Sequence, residues 1–69
     1  MKYDPHAIKR ERRAKGYARV ELAKRAKMTR TNLSYLERGV TEPKASTLAK
    51  LAGALGVGVA TFFVENSRA

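Results

Sequence analysis

Apolar residues along this chain recur at helical spacing. Leu22, Ala23 and Ala26 stand at i, i+1 and i+4, and Leu33 and Leu36 stand three apart. Leu48, Leu51, Ala52 and Leu55 follow at i, i+3, i+4 and i+7, which turns one helix face toward a core. No segment shows sustained period-two alternation, so the expected class is all-α: five short helices with tight connections in one compact globule. Asp4 as N-cap and Pro5 in the first helical position open a helix that runs to about Lys15, where Gly16 stops it. Its apolar face is thin, chiefly Ala7, Ile8 and Ala14. A second helix begins at Arg19, and Met28 follows a short break. Thr29 caps a third helix that ends at Gly39. The fourth spans about Ala45 to Leu55 and closes at Gly56; the last, about Ala60 to Val64, offers Phe62 and Phe63.

The 69 residues leave room for a single domain over 1–69, with a packed core at about 5–64 and a frayed tail at 65–69. A chain this short buries only about 60% of the surface its unfolded form exposes, so stability is marginal. There is no cysteine to staple it or hold zinc, and one histidine, His6, forms neither a multi-histidine metal site nor a triad alone. The acids Asp4, Glu11, Glu21, Glu37 and Glu42 show no paired, metal-ready spacing. An enzyme is therefore the weakest reading, with no metal, cofactor or small-molecule substrate expected. The uncharged run from Leu51 to Val64 is fourteen residues long, short of the roughly 20 that cross a bilayer, and is broken by Gly53, Gly56 and Gly58. It reads as core. The first fifteen residues carry no apolar stretch of a signal peptide, and the expected location is cytoplasmic.

Charge changes the picture further. Fifteen Lys and Arg against six Asp and Glu give a net +9. Residues 1–38 hold twelve of those bases and four acids, a net +8, whereas 39–69 hold three and two, a net +1. A polyanion-facing surface therefore belongs to the first half, and the second half serves folding or self-association. Lys9 to Arg13, KRERR, matches a nuclear-localisation pattern, but reads better as the solvated outer face of the first helix with Arg12 turned inward. The Asn32-Leu33-Ser34 glycosylation pattern carries no weight without a secretion signal.

Residues 19–38, RVELAKRAKMTRTNLSYLER, carry the chemistry. Two helices of about two turns joined by three or four residues cross steeply and pack closely. Close approach asks for a small residue, filled by Ala23, and the turn asks for an apolar plug, filled by Met28. With Leu33 and Leu36 inward, Arg30, Thr31, Ser34 and Tyr35 face outward. Such a helix fits the major groove of B-DNA, about 12 Å wide.

These residues resemble the phage-repressor/Cro-type, or XRE, family of helix-turn-helix proteins. The resemblance runs from about Ile8 to Phe63: IKRERRAKGY, then ELAKRAKMTRTNLSYLERG, a proline four residues after that glycine, and TLAKLAGALGV ending in FF. It implies a lambda-repressor-like domain with Arg30, Thr31, Tyr35 and Ser34 reading bases. It also implies phosphate contacts from Arg19, where the family usually has glutamine, from Thr29 and Asn32, and from Arg38, Thr41 and Lys44 beside the fourth helix's N-terminus. Arg12 and Glu37 match a structural ion pair between helices 1 and 3 of relatives. Three positions depart from the pattern: Ala18 replaces a small or polar cap, Lys27 the usual turn glycine, and Glu11 an often apolar residue.

The expected function is sequence-specific double-stranded DNA binding by a small, repressor-like regulator, acting as a homodimer on a palindromic operator. Val57, Val59, Phe62, Phe63 and Val64 supply the expected subunit interface, with the two phenylalanines divided between core and partner. Two other readings use the same module: an antitoxin-type subunit whose main partner is a toxin protein, and an adaptor that binds nucleic acid without reading sequence. Arg30 as a plain solvated charge, and Tyr35 as a packing aromatic, are the bland counterparts.

Overall fold

A computed structural model describes residues 2–64. The frayed tail expected at 65–69 lies outside the described residues. Four α-helices form the body: α1 (Ala7–Ala14), α2 (Arg19–Arg25), α3 (Arg30–Glu37) and α4 (Ala45–Leu55). A single 3-10 turn, Val59–Phe62, follows α4. Two short strands, β1 (Lys2–Tyr3) and β2 (Phe63–Val64), pair antiparallel, Lys2 opposite Val64 and Tyr3 opposite Phe63.

The helices end alike. A positive φ follows one past the cap of α1, α2 and α3 and falls on the cap of α4, and in each case the next amide reaches back over the last turn. Tyr17 donates to the Arg12 carbonyl, Met28 to Ala23, Val40 to Tyr35 and Val57 to Ala52, at 2.9–3.1 Å. Gly16, Gly39 and Gly56 fill three of the positive-φ positions, at 76°, 77° and 72°. Lys27 fills the fourth at φ 57°, the one non-glycine in that region among the described residues. Without glycine the Cβ crowds the backbone there, so α2 ends at a conformational cost.

One continuous cluster makes the core: Ala7, Ile8, Leu22, Ala23, Ala26, Leu33, Leu36, Leu48, Leu51, Ala52, Leu55 and Phe62. The periodic positions of α2, α3 and α4 all point inward as their spacing requires. Met28 packs against the cluster from the turn, as the plug between α2 and α3. On α1, Ala14 is exposed instead of apolar-facing, because Arg12 holds the inward position of that turn.

Two ends differ from the sequence expectation. The helix proper of α1 starts at Ala7, not Pro5. The cap falls on His6 and not on Asp4, which forms the turn before it: Asp4 Oδ1 accepts the His6 amide at 3.0 Å and its carbonyl accepts the Ala7 amide at 3.1 Å. At the other end, the segment expected as a fifth α-helix is the 3-10 turn followed by β2. Phe62 has no exposed surface, and its carbonyl accepts the Asp4 amide at 2.8 Å. Sinking one ring of the Phe62–Phe63 pair while Phe63 meets Tyr3 edge-on at 6.0 Å extends the chain, which then pairs with the N-terminus.

Candidate nucleic-acid interface

α2 and α3, with the turn and cap that bound them, carry Arg19, Lys24, Arg25, Lys27, Arg30 and Arg38 of the basic half of the chain. The small Ala23 is 3% exposed where the helices approach, and the Thr29 Oγ1 accepts the Asn32 amide at 3.0 Å to start α3. Leu33, Leu36 and Glu37 lie buried on the inner side. That leaves Arg30, Thr31, Ser34, Tyr35 and Arg38 along one outer stripe. Together with Arg19 of α2 they line an open cavity of about 380 Å³. Tyr35 is 42% exposed, so it is a surface aromatic and not a packing one. The Arg38 guanidinium stands 5.8 Å from the Tyr35 ring centroid, a cation–π arrangement that orients both side chains. Three guanidiniums and no carboxylate line this cavity, so its field favours an anion.

Behind the stripe, Glu37 is buried, its side chain 1% exposed. Its Oε2 accepts from Arg12 Nε at 2.7 Å, and its Oε1 from Arg12 Nη2 at 3.2 Å. Arg12 Nη1 donates to the Tyr17 carbonyl at 2.8 Å, tying the loop after α1 into the same unit. The expected ion pair thus stands between α1 and α3. Glu37 Oε1 also accepts from Arg19 Nε at 3.0 Å. Spacing gave no hint of this third partner, because eighteen residues separate the two and only the packing of α2 on α3 brings them together.

The residues expected at phosphates divide between two places. Arg19 and Arg38 line the cavity with Arg30, Thr31, Ser34 and Tyr35. Asn32, Thr41 and Lys44 line a second depression with Leu36, Pro43, Thr47 and Glu42. Arg38 thus lines the cavity with Arg19, and Glu42 brings a negative charge to the second depression. Lys44 caps α4 without a side-chain hydrogen bond to its first amides. Thr29 Oγ1 is engaged as the α3 cap.

Of the residues expected between subunits, Phe62 is wholly interior and is removed from that surface. Val59 and Val64 are exposed, at 41% and 44%, and Val57 and Phe63 are half-buried against the core. The Tyr3 hydroxyl is buried, with no hydrogen-bond partner among the described residues. Burial pushes its pKa up to about 12, and the carboxylates of Glu42 and Asp4 add to that. Asp4 moves the other way, held below the usual carboxylate range by the His6 amide and then by Arg10, whose Nη1 lies 3.1 Å from Oδ2. No helix among the described residues is long and apolar enough to cross a membrane.

Two short helices crossing over a small residue, with the second presenting a basic, hydroxyl-bearing stripe, define a helix-turn-helix DNA-binding domain. A family model described as helix-turn-helix matches residues 8–62, and the chain belongs to that family, the XRE or Cro-like helix-turn-helix regulators of transcription. Solved structures agree. SinR of Bacillus subtilis, the master regulator for biofilm formation, solved in complex with DNA, is 36% identical with a TM-score of 0.78, covering 83% of this chain and 95% of that one. The restriction-modification controller protein C.AhdI of Aeromonas hydrophila is 27% identical, TM-score 0.83, over 86% and 89%. The clp gene regulator ClgR of C. glutamicum is 38% identical, TM-score 0.77, over 81% and 73%. A search of curated proteins finds no match.

Proposed function

We propose that this regulator binds a palindromic operator in double-stranded DNA as a homodimer and represses transcription from it, in the cytoplasm. The observation that carries the reading is the outward stripe of Arg30, Thr31, Ser34, Tyr35 and Arg38 around one basic cavity. In it, α3 enters the major groove. Arg30 takes guanine O6 and N7, Thr31 offers its methyl or hydroxyl to a base, and the Tyr35 ring lies against a base edge with Ser34 beside it. Arg19 and Arg38 meet phosphates on the cavity side, and Asn32, Thr41 and Lys44 meet them on the other, with Thr29 setting the start of the helix. Phosphate contacts fix register; base contacts choose sequence.

Dimerisation follows from scale. A recognition helix of eight residues reads only a few base pairs, and a genome offers a vast excess of competing sites. Two copies related by a two-fold axis present two such helices about 34 Å apart. Val59 and Val64, with the half-buried Val57 and Phe63, supply the apolar surface for this contact. The SinR structure solved with DNA supports the duplex as ligand.

Selection from a random duplex pool followed by sequencing tests the reading. A two-fold symmetric motif with half-sites about one helical turn apart is the expected result. Enrichment of no sequence, with binding that only tracks salt, would replace it with the non-specific adaptor. Affinity for duplex that appears only when a second protein co-purifies would favour the antitoxin-type subunit.

A further inference from the structure

We infer that Glu37 is a positioning residue for DNA binding, holding Arg19 by its Nε so that the far edge of that guanidinium is presented as a fixed fork to a phosphate. The inference rests on the duplex-binding reading above and adds a function to a carboxylate that otherwise joins helices. One buried carboxylate accepts from two arginines, Arg12 at 2.7 Å and Arg19 at 3.0 Å, which leaves one surplus positive charge in the cluster. Arg12 is spent inside: all three of its donor nitrogens have partners, two bonds to Glu37 and one to the Tyr17 carbonyl. Arg19 is different. Among the described residues its Nε has an acceptor in Glu37, and its two terminal nitrogens have none. Its side chain is 43% exposed and lines the cavity beside Arg30 and Arg38. The surplus charge therefore sits at the mouth of the cavity, on the group that faces outward.

Arginine does this where lysine does not. The guanidinium is a planar fork with donors on two edges, so one edge binds Glu37 while the other binds an anion in a defined plane. A lysine ammonium at the same place is a point charge on a flexible stem, drawn to Glu37 or to the phosphate. Pre-setting the fork lowers the ordering cost on binding. The anchor also joins α1, α2 and α3 to the phosphate through a single carboxylate.

The test titrates matched and scrambled duplexes at several salt concentrations with the wild-type chain, Arg19→Lys, Glu37→Gln and the double variant. Arg19→Lys keeps the charge, yet the expected result is a loss of about tenfold in affinity on both duplexes alike, with the preference between them unchanged. Glu37→Gln weakens binding in the wild-type background, flattens its salt dependence, and costs clearly less when Lys already stands at 19. Arg19→Lys binding within about twofold of wild type would overturn the inference, since a plain charge would then suffice. Additive losses in the double variant would overturn it as well. Should Glu37→Gln fail to fold by circular dichroism, the exposed Arg19→Lys decides alone. A wild-type chain that binds no duplex refutes the duplex reading itself and takes this inference with it, whereas retained wild-type binding with an inert Arg19→Lys refutes the positioning role only.

Discussion

Arg12 grips Glu37 with two nitrogens, Nε on one carboxylate oxygen at 2.7 Å and Nη2 on the other at 3.2 Å, across twenty-five residues of chain. Both side chains are nearly out of water, 9% and 1% exposed, so neither charge has solvent to fall back on. Removing Glu37 strands Arg12, and removing Arg12 leaves the buried Glu37 only the half-exposed Arg19 as a partner. Arg12→Ala is expected to lower the unfolding free energy by about 3–5 kcal/mol, measured by urea denaturation. Arg12→Met combined with Glu37→Met is expected to lose much less, because no buried charge is left unpaired and Arg19, released from Glu37, is half-exposed to water. Equal losses in the single and double variants would show that packing and not pairing holds α1 to α3.

Lys27 carries the turn between α2 and α3 at φ 57°, where Met28 and the Ala23 carbonyl close the helix end at 2.9 Å. Its side chain is exposed, so conformation outweighs contacts here. Comparing Lys27→Gly with Lys27→Ala removes the same charge from both. Glycine is expected to exceed alanine by about 1 kcal/mol, a shift of roughly 4–8 °C in melting temperature. Thermal unfolding of the two variants checks it, and alanine melting higher than glycine would mean that the turn relaxes out of the left-handed region.

Much of this was written in local pattern. The 3, 4, 7 spacing of Leu48 to Leu55 places α4 and its buried face without help from tertiary structure, and the cap residues Thr29 and Gly39 bound α3 on both sides. The outward stripe was legible because Leu33 and Leu36 fix the helix phase. What local pattern could not carry was pairing at a distance. Strands of two residues have no period to show, so the ladder of Tyr3 with Phe63 left no trace. Phe62 and Phe63 are adjacent and identical, and only the fold decides which ring sinks. Arg19 reaching Glu37, and Arg38 joining Arg19 in one cavity, depend on how α2 and α3 cross.

Tyr3 holds a buried hydroxyl with no partner among the described residues. Tyr3→Phe is therefore expected to leave stability at neutral pH unchanged or slightly raised. The alkaline range separates the two proteins. The folded phenol has its pKa raised from 10.0 to about 12, so the folded state keeps a proton that the unfolded chain releases first. The stability this gives is intact below the unfolded value and drains as pH rises through the folded one. Wild type should lose more stability than Tyr3→Phe between these pH values, as read by urea midpoints. Parallel loss in both would place the ionising group elsewhere.

Asp4 works at the opposite end of the scale. Its carboxylate accepts the His6 amide at 3.0 Å and meets Arg10, which holds its pKa below the usual 3.8. A lowered carboxylate stabilises the fold above its unfolded pKa and stops doing so as pH falls through the folded value. Asp4→Ala is expected to cost about 1 kcal/mol at neutral pH, the ordinary net loss of a hydrogen bond to a charged turn residue. The gap between variant and wild type should close in acid, below the folded pKa of Asp4. A gap that persisted at acid pH would assign the effect to backbone conformation and not to the carboxylate.

Arg30 and Lys44 both bring charge to the surface, from opposite sides of α3, and they should fail differently. Arg30 projects from the first turn of α3 into the cavity with Thr31 and Tyr35, where a fork can meet two acceptors on one base edge. Lys44 lies in the second depression, beside Thr41 and Glu42, where only a backbone oxygen is in prospect. Arg30→Ala is expected to relax preference at one base pair per half-site, a loss of about 1–3 kcal/mol in discrimination, while leaving binding to scrambled duplex closer to wild type. Lys44→Ala should weaken every duplex alike and reduce the salt slope by about one. Competition binding across single-base operator variants at three salt concentrations separates the two signatures. If Arg30→Ala lowered all affinities equally and left the ranking of base pairs untouched, the residue would be a phosphate contact, and base reading would fall to Thr31, Ser34 and Tyr35.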